Sequence, residues 1–454
     1  MLSRGLRLAC FAVVTAVGLA ACSSSSKSAS GGGKTLKVAY VKFGNEIQVD
    51  AHMQKVKAQF EAAHPGISVK LDPIAAAEND YYTKIDLMMG SGSTAPDVVY
   101  EDTFLINSDI KAGYLTPLDS YLTSWADWSQ FPETAKSAAR GVDGKTYGVP
   151  MGTDTRGLWY NKALLTKAGI TMPWAPKTWQ DVLDAAKAVK ATSPDVTPLN
   201  VYAGKPDGEG STMQGFEMLL YGTKDTLYDG STKKWTAPSK GFNDALQFLK
   251  DAYGSGLTLS PQKELDPNVP NVVGGQLLPA GKLAIDLDGS WVAGTWAAGG
   301  AKPWPEWSST LGEAAMPTQD GSGKGGVSMS GGWTLAVTAR SGNKDLAAQF
   351  IELALNKENS TAYDIADSQI AVRNDVAADP QYQSTNPTTA FFTGLVPVTS
   401  YRPAYAEYPK VSDAIQVAME AVITGQSSPA DAMKAYTATL KGIVGADNVA
   451  AGTS

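Results

Sequence analysis

Carboxylates are the side chains through which this chain could do acid–base chemistry. Glu101 and Asp102 are adjacent, and Asp154 lies in a separate segment. Two carboxyl groups that face each other across a cleft could act as the acid and the base of glycoside hydrolysis. The chain has 45 Asp and Glu residues, so such pairs arise without catalysis, and no sequence feature marks one with a raised pKa. Hydrolysis is therefore kept only as an alternative interpretation.

Other reaction types lack the residues that they need. The two His residues, His52 and His64, fall on or at the end of one predicted helix. With two Cys residues they leave almost nothing for a zinc, haem or iron–sulfur site. A Gly-x-Ser-x-Gly nucleophile motif is absent, and segment 275–282 has one residue too many between its glycines for a phosphate-binding loop. We expect no metal and no cofactor.

The charge balance argues against nucleic acid as a partner. The chain carries 38 Lys and Arg against 45 Asp and Glu, a net charge of -7, with no long basic run. Binding to nucleic acid requires clustered cationic charge that displaces condensed counterions. The 11 Trp and 18 Tyr against 11 Phe favour aromatic side chains that pack through a flat face and also form hydrogen bonds.

The N-terminal residues have the pattern of a secretion signal. Arg4 and Arg7 precede an apolar stretch at 8–20 that is short for a membrane span, which predicts a signal peptide over 1–21. The stretch ends in Leu-Ala-Ala-Cys, which resembles the bacterial lipobox, so we expect cleavage before Cys22 and its lipidation. A plain secretory peptide with an incidental Cys is the alternative. The Ser- and Gly-rich residues 22–33 predict a flexible tether, with membrane contact through the lipid anchor only.

The rest of the chain alternates strand and helix patterns, which is typical of an α/β fold with parallel sheets. Apolar runs predict strands at 36–41, 67–71, 97–100 and 283–287. Apolar residues at helical spacing predict helices at 50–63, 81–89, 104–112, 178–191, 239–253, 344–355, 411–423 and 429–444. Thr178 is expected to cap its helix together with Asp181. The loops at 43–46 and 100–102 follow strands, where such sheets bind ligands.

Five segments, taken in order, resemble one known family. They are AAHPGISV at 62–69, GKTYGVP at 144–150 followed by LWYNK at 158–162, GKLAI to GSW at 281–291, SGGW at 330–333 and SSPADA at 427–432. In this order behind a lipobox they are similar to the extracellular solute-binding lipoproteins of ABC importers, in the sugar-binding group that is like maltose-binding protein. Ile285 stands where many members have Met. The resemblance extends over about residues 36–445.

The resemblance implies a two-lobed fold of the type II periplasmic-binding-protein class. Each lobe would be a mostly parallel sheet flanked by helices, with the ligand cleft between the lobes. The implied segments are 34–152 plus 331–368 for lobe one, 157–326 plus 372–448 for lobe two, and hinges near 152–156, 327–331 and 369–373. A hinge of several segments would restrict motion to opening and closing of the cleft.

The same resemblance implies which side chains contact the ligand. Trp291 falls on the stacking Trp of the family, and Asp154 falls where a member has a ligand-contacting carboxylate. The alternatives are core packing for Trp291 and a hinge hydrogen bond or an ion pair with Arg156 for Asp154. Further candidates near the expected cleft are Phe43, Asn45, Glu101, Asp102, Tyr202, Glu217, Trp333, Arg373, Tyr401 and Tyr405. A solvated loop or a helix cap would also explain Glu101 and Asp102, and a hinge ion pair would explain Arg373.

The implied function is binding of a carbohydrate, a di- or oligosaccharide, outside the cytoplasmic membrane. A monomeric protein without catalytic activity would deliver it to the permease subunits of an ABC importer driven by a cytoplasmic ATPase. A binding lipoprotein for a non-sugar solute, such as a glycerol phosphoester, is the main alternative, in which Arg156, Arg373 or Arg402 would hold the phosphate. A secreted glycoside hydrolase is the other alternative.

Overall fold

The computed structural model describes residues 34–323 and 325–453. Its strands β1 to β14 are, in chain order, Lys34–Lys42, Ile67–Ala75, Val98–Asp102, Gly148–Gly152, Arg156–Asn161, Thr197–Asn200, Tyr228–Asp229, Lys234–Thr236, Leu283–Gly289, Leu311–Ala314, Ser328–Ser330, Trp333–Val337, Thr399–Tyr401 and Val449–Ala450. Its α-helices α1 to α20 are Gln48–Ala63, Glu78–Gly90, Ile106–Ala112, Asp119–Leu122, Glu133–Ser137, Lys162–Lys167, Trp179–Thr192, Met218–Leu220, Lys240–Gly254, Pro261–Glu264, Val269–Val272, Val292–Trp296, Trp307–Thr310, Lys344–Ala354, Lys357–Ala366, Asn374–Ala377, Pro380–Thr385, Thr389–Gly394, Tyr408–Ile423 and Pro429–Val444. The predicted signal peptide, Cys22 and most of the tether lie outside the described residues.

The predicted strands and helices are present, with boundaries shifted by a few residues. The capping of α7 is confirmed, because Thr178 Oγ1 accepts the Asp181 N–H at 3.2 Å and Asp181 Oδ2 accepts the Thr178 N–H at 3.0 Å. Ser239 caps α9 by accepting the Phe242 N–H at 3.2 Å. Local hydrogen bonding of this kind satisfies N–H groups that a helix leaves unpaired at its start.

Sheet one contains five strands in the order β2-β1-β3-β12-β4. β1 pairs in parallel with β2 and β3, whereas β12 is antiparallel to both of its neighbours. Four strands therefore run in one direction, and β12 is antiparallel to them. This agrees with the predicted mostly parallel sheet.

Sheet two contains four strands in the order β10-β5-β9-β6. β9 and β6 are parallel, and β5 is antiparallel to β9 and β10. The reversed strand again follows a passage of the chain between the sheets, since β4 of sheet one leads directly into β5 of sheet two. Because no helical crossover separates β4 from β5, β5 runs opposite to β9 and β10.

Three chain segments lie side by side between the two sheets. Thr153 and Ile370 exchange backbone hydrogen bonds of 3.1 and 2.8 Å, and the Thr153 and Ser330 hydroxyl oxygens are 2.8 Å apart. These segments contain the residues for which hinges are predicted, and their action as hinges stays a prediction. After the third segment, α16 and α17 pack on α15, whereas Phe392 of α18 packs against Trp159 of β5. The exact lobe boundaries stay a prediction.

Helices cover both sheets and bury their apolar faces in the core. On sheet one, α1 packs with α14 and α15, and on the side of sheet two, α9, α19 and α20 pack together. A cluster of aromatic side chains, including Trp159, Trp296 and Trp307, fills a second core behind sheet two. Within residues 34–323 and 325–453, no helix combines the length and the apolarity that a membrane span requires.

Candidate ligand-binding site

A cavity of about 570 Å³ lies where loops from the two sheets meet. This volume is typical of sites for small organic ligands. From sheet one, its wall contains the residues that follow β1 and β2 and the end of β3. From sheet two, it contains the end of β9 and part of the π-helical segment Ser211–Glu217. The cavity therefore occupies the carboxyl edge of the sheets, where connecting loops diverge.

One aromatic wall of the cavity is built around Trp333, the first residue of β12. Its ring stacks on Tyr100 with centroids 4.6 Å apart and planes at 7°, and the Phe43 ring stands edge-on at 6.1 Å. The backbone of Gly332 has a left-handed φ of +134°. It lies so close to β4 that a Cβ added to Gly332 would be 2.9 Å from the Gly152 carbonyl oxygen. The half-buried Trp333 thus presents a rigid apolar surface to the cavity.

A second aromatic surface is Trp291, which follows β9. Strand pairing places Arg156 of β5 opposite Gly289 of β9, and the Arg156 guanidinium carbon lies 4.7 Å from the centroid of the Trp291 ring. A Cβ on Gly289 would lie only 1.7 Å from Trp291 Cζ3, so the ring depends on the missing side chain of this glycine. Trp291 is half-buried and lines the cavity.

Asp154 joins two of the crossing segments beside the cavity. It forms a buried ion pair with Arg156, and its Oδ1 accepts the Gly331 N–H at 2.9 Å. Arg156 also donates to Gln214 Oε1 and to the Met329 carbonyl, both at 3.2 Å. The ion pair and the hinge hydrogen bond, the alternative functions considered for Asp154, are therefore present. The ligand contact of this carboxylate stays a prediction.

Arg402 holds a second buried charge network in the cavity wall. Its guanidinium donates to Asp102 Oδ1 at 2.6 Å, and it pairs with Glu209 at 3.4 Å. The remaining cation of the wall, Lys42, pairs with Asp50 at 2.8 Å. Each cation of the described cavity wall is thus matched by a carboxylate.

Carboxylates outnumber cations in this wall by nine to three. Burial, with Asp367 and Asp288 nearby, raises the pKa of Glu46 to about 8. Burial also raises the pKa of Glu78 to about 7, that of Asp367 to about 7 and that of Asp288 to about 6. The pKa of Asp207 is raised well above its ordinary value by burial and by Glu78. Desolvation and mutual repulsion both disfavour the ionised forms.

The two sides of the cavity touch each other directly. Asn45, after β1, donates from its backbone N–H to Asn271 Oδ1 at 2.8 Å and from Nδ2 to the Asn271 carbonyl at 3.1 Å. Gln48 Nε2 donates to the Gly294 carbonyl at 2.8 Å. These contacts connect segments attached to different sheets, so the structure represents a form in which the cleft is closed.

Seven of the predicted site residues line the cavity: Phe43, Asn45, Asp102, Asp154, Tyr202, Trp291 and Trp333. Tyr202 is almost fully buried and donates its hydroxyl to Asp288 Oδ2 at 3.1 Å, so it supports that carboxylate from behind. The structure brings these residues together, and their contact with ligand stays a prediction.

The structure places Glu101 and Glu217 outside the cavity wall. Glu101 is adjacent to Asp102 in β3, but consecutive strand residues point to opposite faces, and its carboxylate is buried beside Asp109. Glu217 is fully buried, and Tyr408 donates a hydrogen bond to its Oε1 at 3.0 Å. Burial raises the pKa of Glu217 to about 8, with Glu209 adding to the effect.

Arg373, Tyr401 and Tyr405 are also not at the cavity. Arg373 is buried and forms ion pairs with Asp375 at 2.7 Å and with Asp127 at 3.0 Å. An ion pair was the alternative to ligand contact considered for this residue. Tyr405 packs against neighbouring aromatic rings, with the nearest centroid 4.5 Å away. Tyr401, the last residue of β13, is 58% exposed and does not line the cavity.

Seven cavity carboxylates were missed in the sequence: Glu46, Glu78, Asp80, Asp207, Glu209, Asp288 and Asp367. Glu46 and Glu78 follow β1 and β2, which was a usable signal, and Asp288 lies three residues before Trp291. Among 45 acidic residues, however, position after a strand does not distinguish a cavity carboxylate from a solvated one.

Comparison with known proteins agrees with this geometry. The family model described as bacterial extracellular solute-binding protein matches residues 44–361, well over half of the chain. The chain is 27% identical over 432 residues to a galactooligosaccharide-binding protein of Bacillus subtilis (strain 168), covering 93% of each chain. It is 25% identical over 354 residues to the maltodextrin-binding protein MdxE of the same organism, covering 77% of this chain and 76% of that one.

Solved structures show the same fold. The GacH receptor of Streptomyces glaucescens GLA.O, determined unliganded and with acarbose, superposes with a TM-score of 0.77 at 26% identity, covering 90% of this chain and 98% of that one. Maltose-bound MalE3 of T. maritima has a TM-score of 0.77 at 22% identity, with 90% and 100% covered, and shows the fold alone. The predicted two-lobed type II fold and the family resemblance are confirmed. The chain belongs to the family of bacterial extracellular solute-binding proteins.

Proposed function

We propose that this chain binds a carbohydrate outside the cytoplasmic membrane and delivers it to the permease of an ABC importer. The observation that carries the proposal is the closed cavity between the two sheets, which combines the aromatic surfaces of Trp291 and Trp333 with many hydrogen-bond acceptors. Relatives that span most of this chain are named for galactooligosaccharide and maltodextrin binding. The ligand is a di- or oligosaccharide.

The cavity offers both kinds of contact that a sugar requires. A pyranose ring has a weakly apolar face, which packs on an indole plane. Its hydroxyls need fixed partners, because a hydroxyl that is buried without one costs free energy. Asp154 and Asp102 are held in place by Arg156 and Arg402, so their outer oxygens are positioned before ligand arrives. Preorganised acceptors lose little entropy when they bind hydroxyls.

Ligand binding is coupled to closure of the cleft. The contact between Asn45 and Asn271 forms only when the two sides approach, and a ligand that touches both sides favours the same state. A change from mostly open to mostly closed requires differential binding of about 5.5 kcal/mol. Several sugar hydrogen bonds at ~0.5–1.5 kcal/mol each and one aromatic stack reach this sum. The closed form is then the one that the permease recognises.

The two alternative functions are less well supported. A phosphoester would need an uncommitted cation, but Arg156 and Arg402 are paired with carboxylates, and Arg373 lies outside the cavity. For hydrolysis, Glu101 is turned into the core and Asp154 is committed to Arg156. We propose that the ligand is released unaltered, without cofactor or metal.

The anchoring of the protein is proposed from the N-terminal sequence. Residues 1–21 serve as a signal peptide, and Cys22 carries the lipid that tethers a monomeric protein to the outer face of the membrane. Labelled palmitate should be incorporated into the protein in cells, and Cys22→Ala should abolish this labelling and release the protein from the membrane fraction. Retention of label in that variant would contradict the proposal.

The binding proposal is tested by titration calorimetry over mono-, di- and oligosaccharides, with glycerol phosphates included. Trp291→Ala should weaken the binding of the best sugar by roughly tenfold or more, because an aromatic anchor and its buried area are lost. Trp128→Ala is the matched control, since Trp128 stacks on Trp125 outside the cavity. Equal affinity in both variants would remove Trp291 from the site. The appearance of reducing ends during incubation would instead support hydrolysis.

A further inference from the structure

Six carboxylates of the cavity wall have no cationic partner within the described part of the chain; one of them, Asp80, is exposed, and the other five are buried or half-buried. Glu46, Glu78, Asp207, Asp288 and Asp367, named here the acidic cluster, all line the cavity. The three cations of the wall are paired with other carboxylates. The acidic cluster thus gives the cavity an excess of carboxyl groups over cations, and a cation bound among them would favour their ionised forms.

The acidic cluster is assembled from both sides of the cleft. Glu46 and Glu78 follow β1 and β2 of sheet one, whereas Asp288 belongs to β9 of sheet two and Asp207 follows β6. Gly210, beside Asp207, donates its N–H to Glu78 Oε2 at 3.2 Å across the cleft. Closure therefore brings carboxyl groups together, and their ionised forms repel one another unless a group of opposite charge enters between them.

Two members of the acidic cluster that are more than nine-tenths buried have unused acceptor atoms. Asp207 is 9% exposed, and neither of its carboxylate oxygens has a hydrogen-bond partner among the described residues. Asp367 is 6% exposed; its Oδ2 accepts from Tyr363 and Gln369 at 2.8 Å each, while its Oδ1 has no partner there. A buried carboxylate is costly when it is unpaired. These atoms therefore point to a ligand that donates hydrogen bonds and carries positive charge.

We propose that the ligand is a saccharide with a protonated amine, whose ammonium group is held by the acidic cluster while a sugar ring packs against Trp333 or Trp291. This inference rests on the proposed carbohydrate-binding function and names the class of sugar. An ammonium group provides three donors and the missing charge in one small group. Residues 34–323 and 325–453 contain no group of three or more acidic, His or Cys side chains placed to hold a metal ion, so an organic cation fits better.

The test is calorimetry at pH 7 with pairs of sugars that differ in one amine. The pairs are cellobiose with its 2-amino-2-deoxy analogue and galactobiose with the corresponding galactosamine disaccharide. N-acetylated forms of the amino sugars are the matched control ligands, because acetylation keeps the nitrogen and removes its charge. In the pair that binds best, we expect the amine to bind about tenfold tighter or more than its neutral partner.

The preference for the amine should depend on the acidic cluster. Asp207→Asn should reduce the preference by about fivefold or more, because it removes an unpaired charge while keeping the shape of the side chain. The affinity for the neutral sugar should change less than about threefold, since an amide still accepts a hydroxyl hydrogen bond. Glu78→Gln provides a second variant. Glu358→Gln is the control, since Glu358 is a 76% exposed carboxylate outside the cavity and should leave the preference intact.

The outcomes separate this inference from the function on which it rests. Equal or tighter binding of the neutral sugar or of the N-acetylated form overturns the amine inference and leaves carbohydrate binding standing. A preference that persists in both Asp207→Asn and Glu78→Gln overturns the role of the acidic cluster. If no sugar of either class binds, both the inference and the proposed function fall.

Discussion

A single methyl group at Gly289 should test how Trp291 is held at the cavity. A Cβ at this position would lie 1.7 Å from Trp291 Cζ3, far inside van der Waals contact. The φ of Gly289 is not in the left-handed region, so alanine can adopt its backbone conformation. The Gly289→Ala substitution therefore acts by displacing the indole ring, and the open direction for the ring is into the cavity.

The size of the effect follows from the cost of overpacking. Insertion of a methyl group into a packed site costs about 1–3 kcal/mol. Because the displaced ring occupies space that the ligand needs, most of this cost should appear as lost affinity. The Kd of the best sugar should then rise by about 5- to 150-fold, as measured by calorimetry. Gly342→Ala, at an exposed glycine with nothing within 4 Å of the added Cβ, is the control and should change neither Kd nor Tm.

A double-mutant cycle decides whether the ring is the cause. In the Trp291→Ala background, Gly289→Ala should change Kd by less than about twofold, since the clash has been removed. Equal losses in both backgrounds would show that the methyl group acts independently of the ring and would refute the proposed packing of Trp291.

Three other substitutions test the polar groups. Asp154→Asn should raise the Kd of the best sugar about tenfold in calorimetry, because Arg156 loses its charged partner beside Trp291. Unchanged affinity together with a lowered Tm would assign Asp154 to the hinge alone. Arg373→Met should lower the free energy of unfolding by roughly 3 kcal/mol in urea titration and leave Kd unchanged, whereas weakened binding would contradict its placement outside the site. Burial raises the pKa of Glu264 from 4.5 to about 8, so its contribution to stability is complete below pH 4.5 and is lost as pH rises through about 8. In urea titrations at a series of pH values, Glu264→Gln should make the decrease of unfolding free energy with rising pH less steep by up to ~1.4 kcal/mol per pH unit. The same pH dependence in the variant and the parent protein would contradict the burial of an ionisable group at this position.

Local structure was largely predictable because its causes lie within short segments. The helix at Trp179–Thr192 begins where Thr178 and Asp181 can satisfy each other's backbone N–H groups, and both residues are visible in the sequence. Strand direction was less predictable. The reversal of β5 and β12 depends on where the chain crosses between sheets, and apolar patterning carries no information about direction.

The candidate site was predicted only in part, as β3 illustrates. All five residues of Val98–Asp102 are buried, so no polar and apolar alternation shows which face each side chain takes. Asp102 faces the cavity and Arg402, whereas Glu101 faces the core beside Asp109. Neighbours in the sequence thus have different environments, which only the packing of helices on both faces of the sheet decides.

The sequence by itself determined the family, the alternation of strands and helices, and the Gly-Ser-Trp turn that brings Trp291 to the end of a strand. Only the tertiary structure decided the charge of the cavity. Glu46 and Asp367 are separated by most of the chain, yet Asp367 is close enough to help raise the pKa of Glu46. Coulombic energy depends on distance in space, and residue order records that distance only within a helix, a strand or a turn.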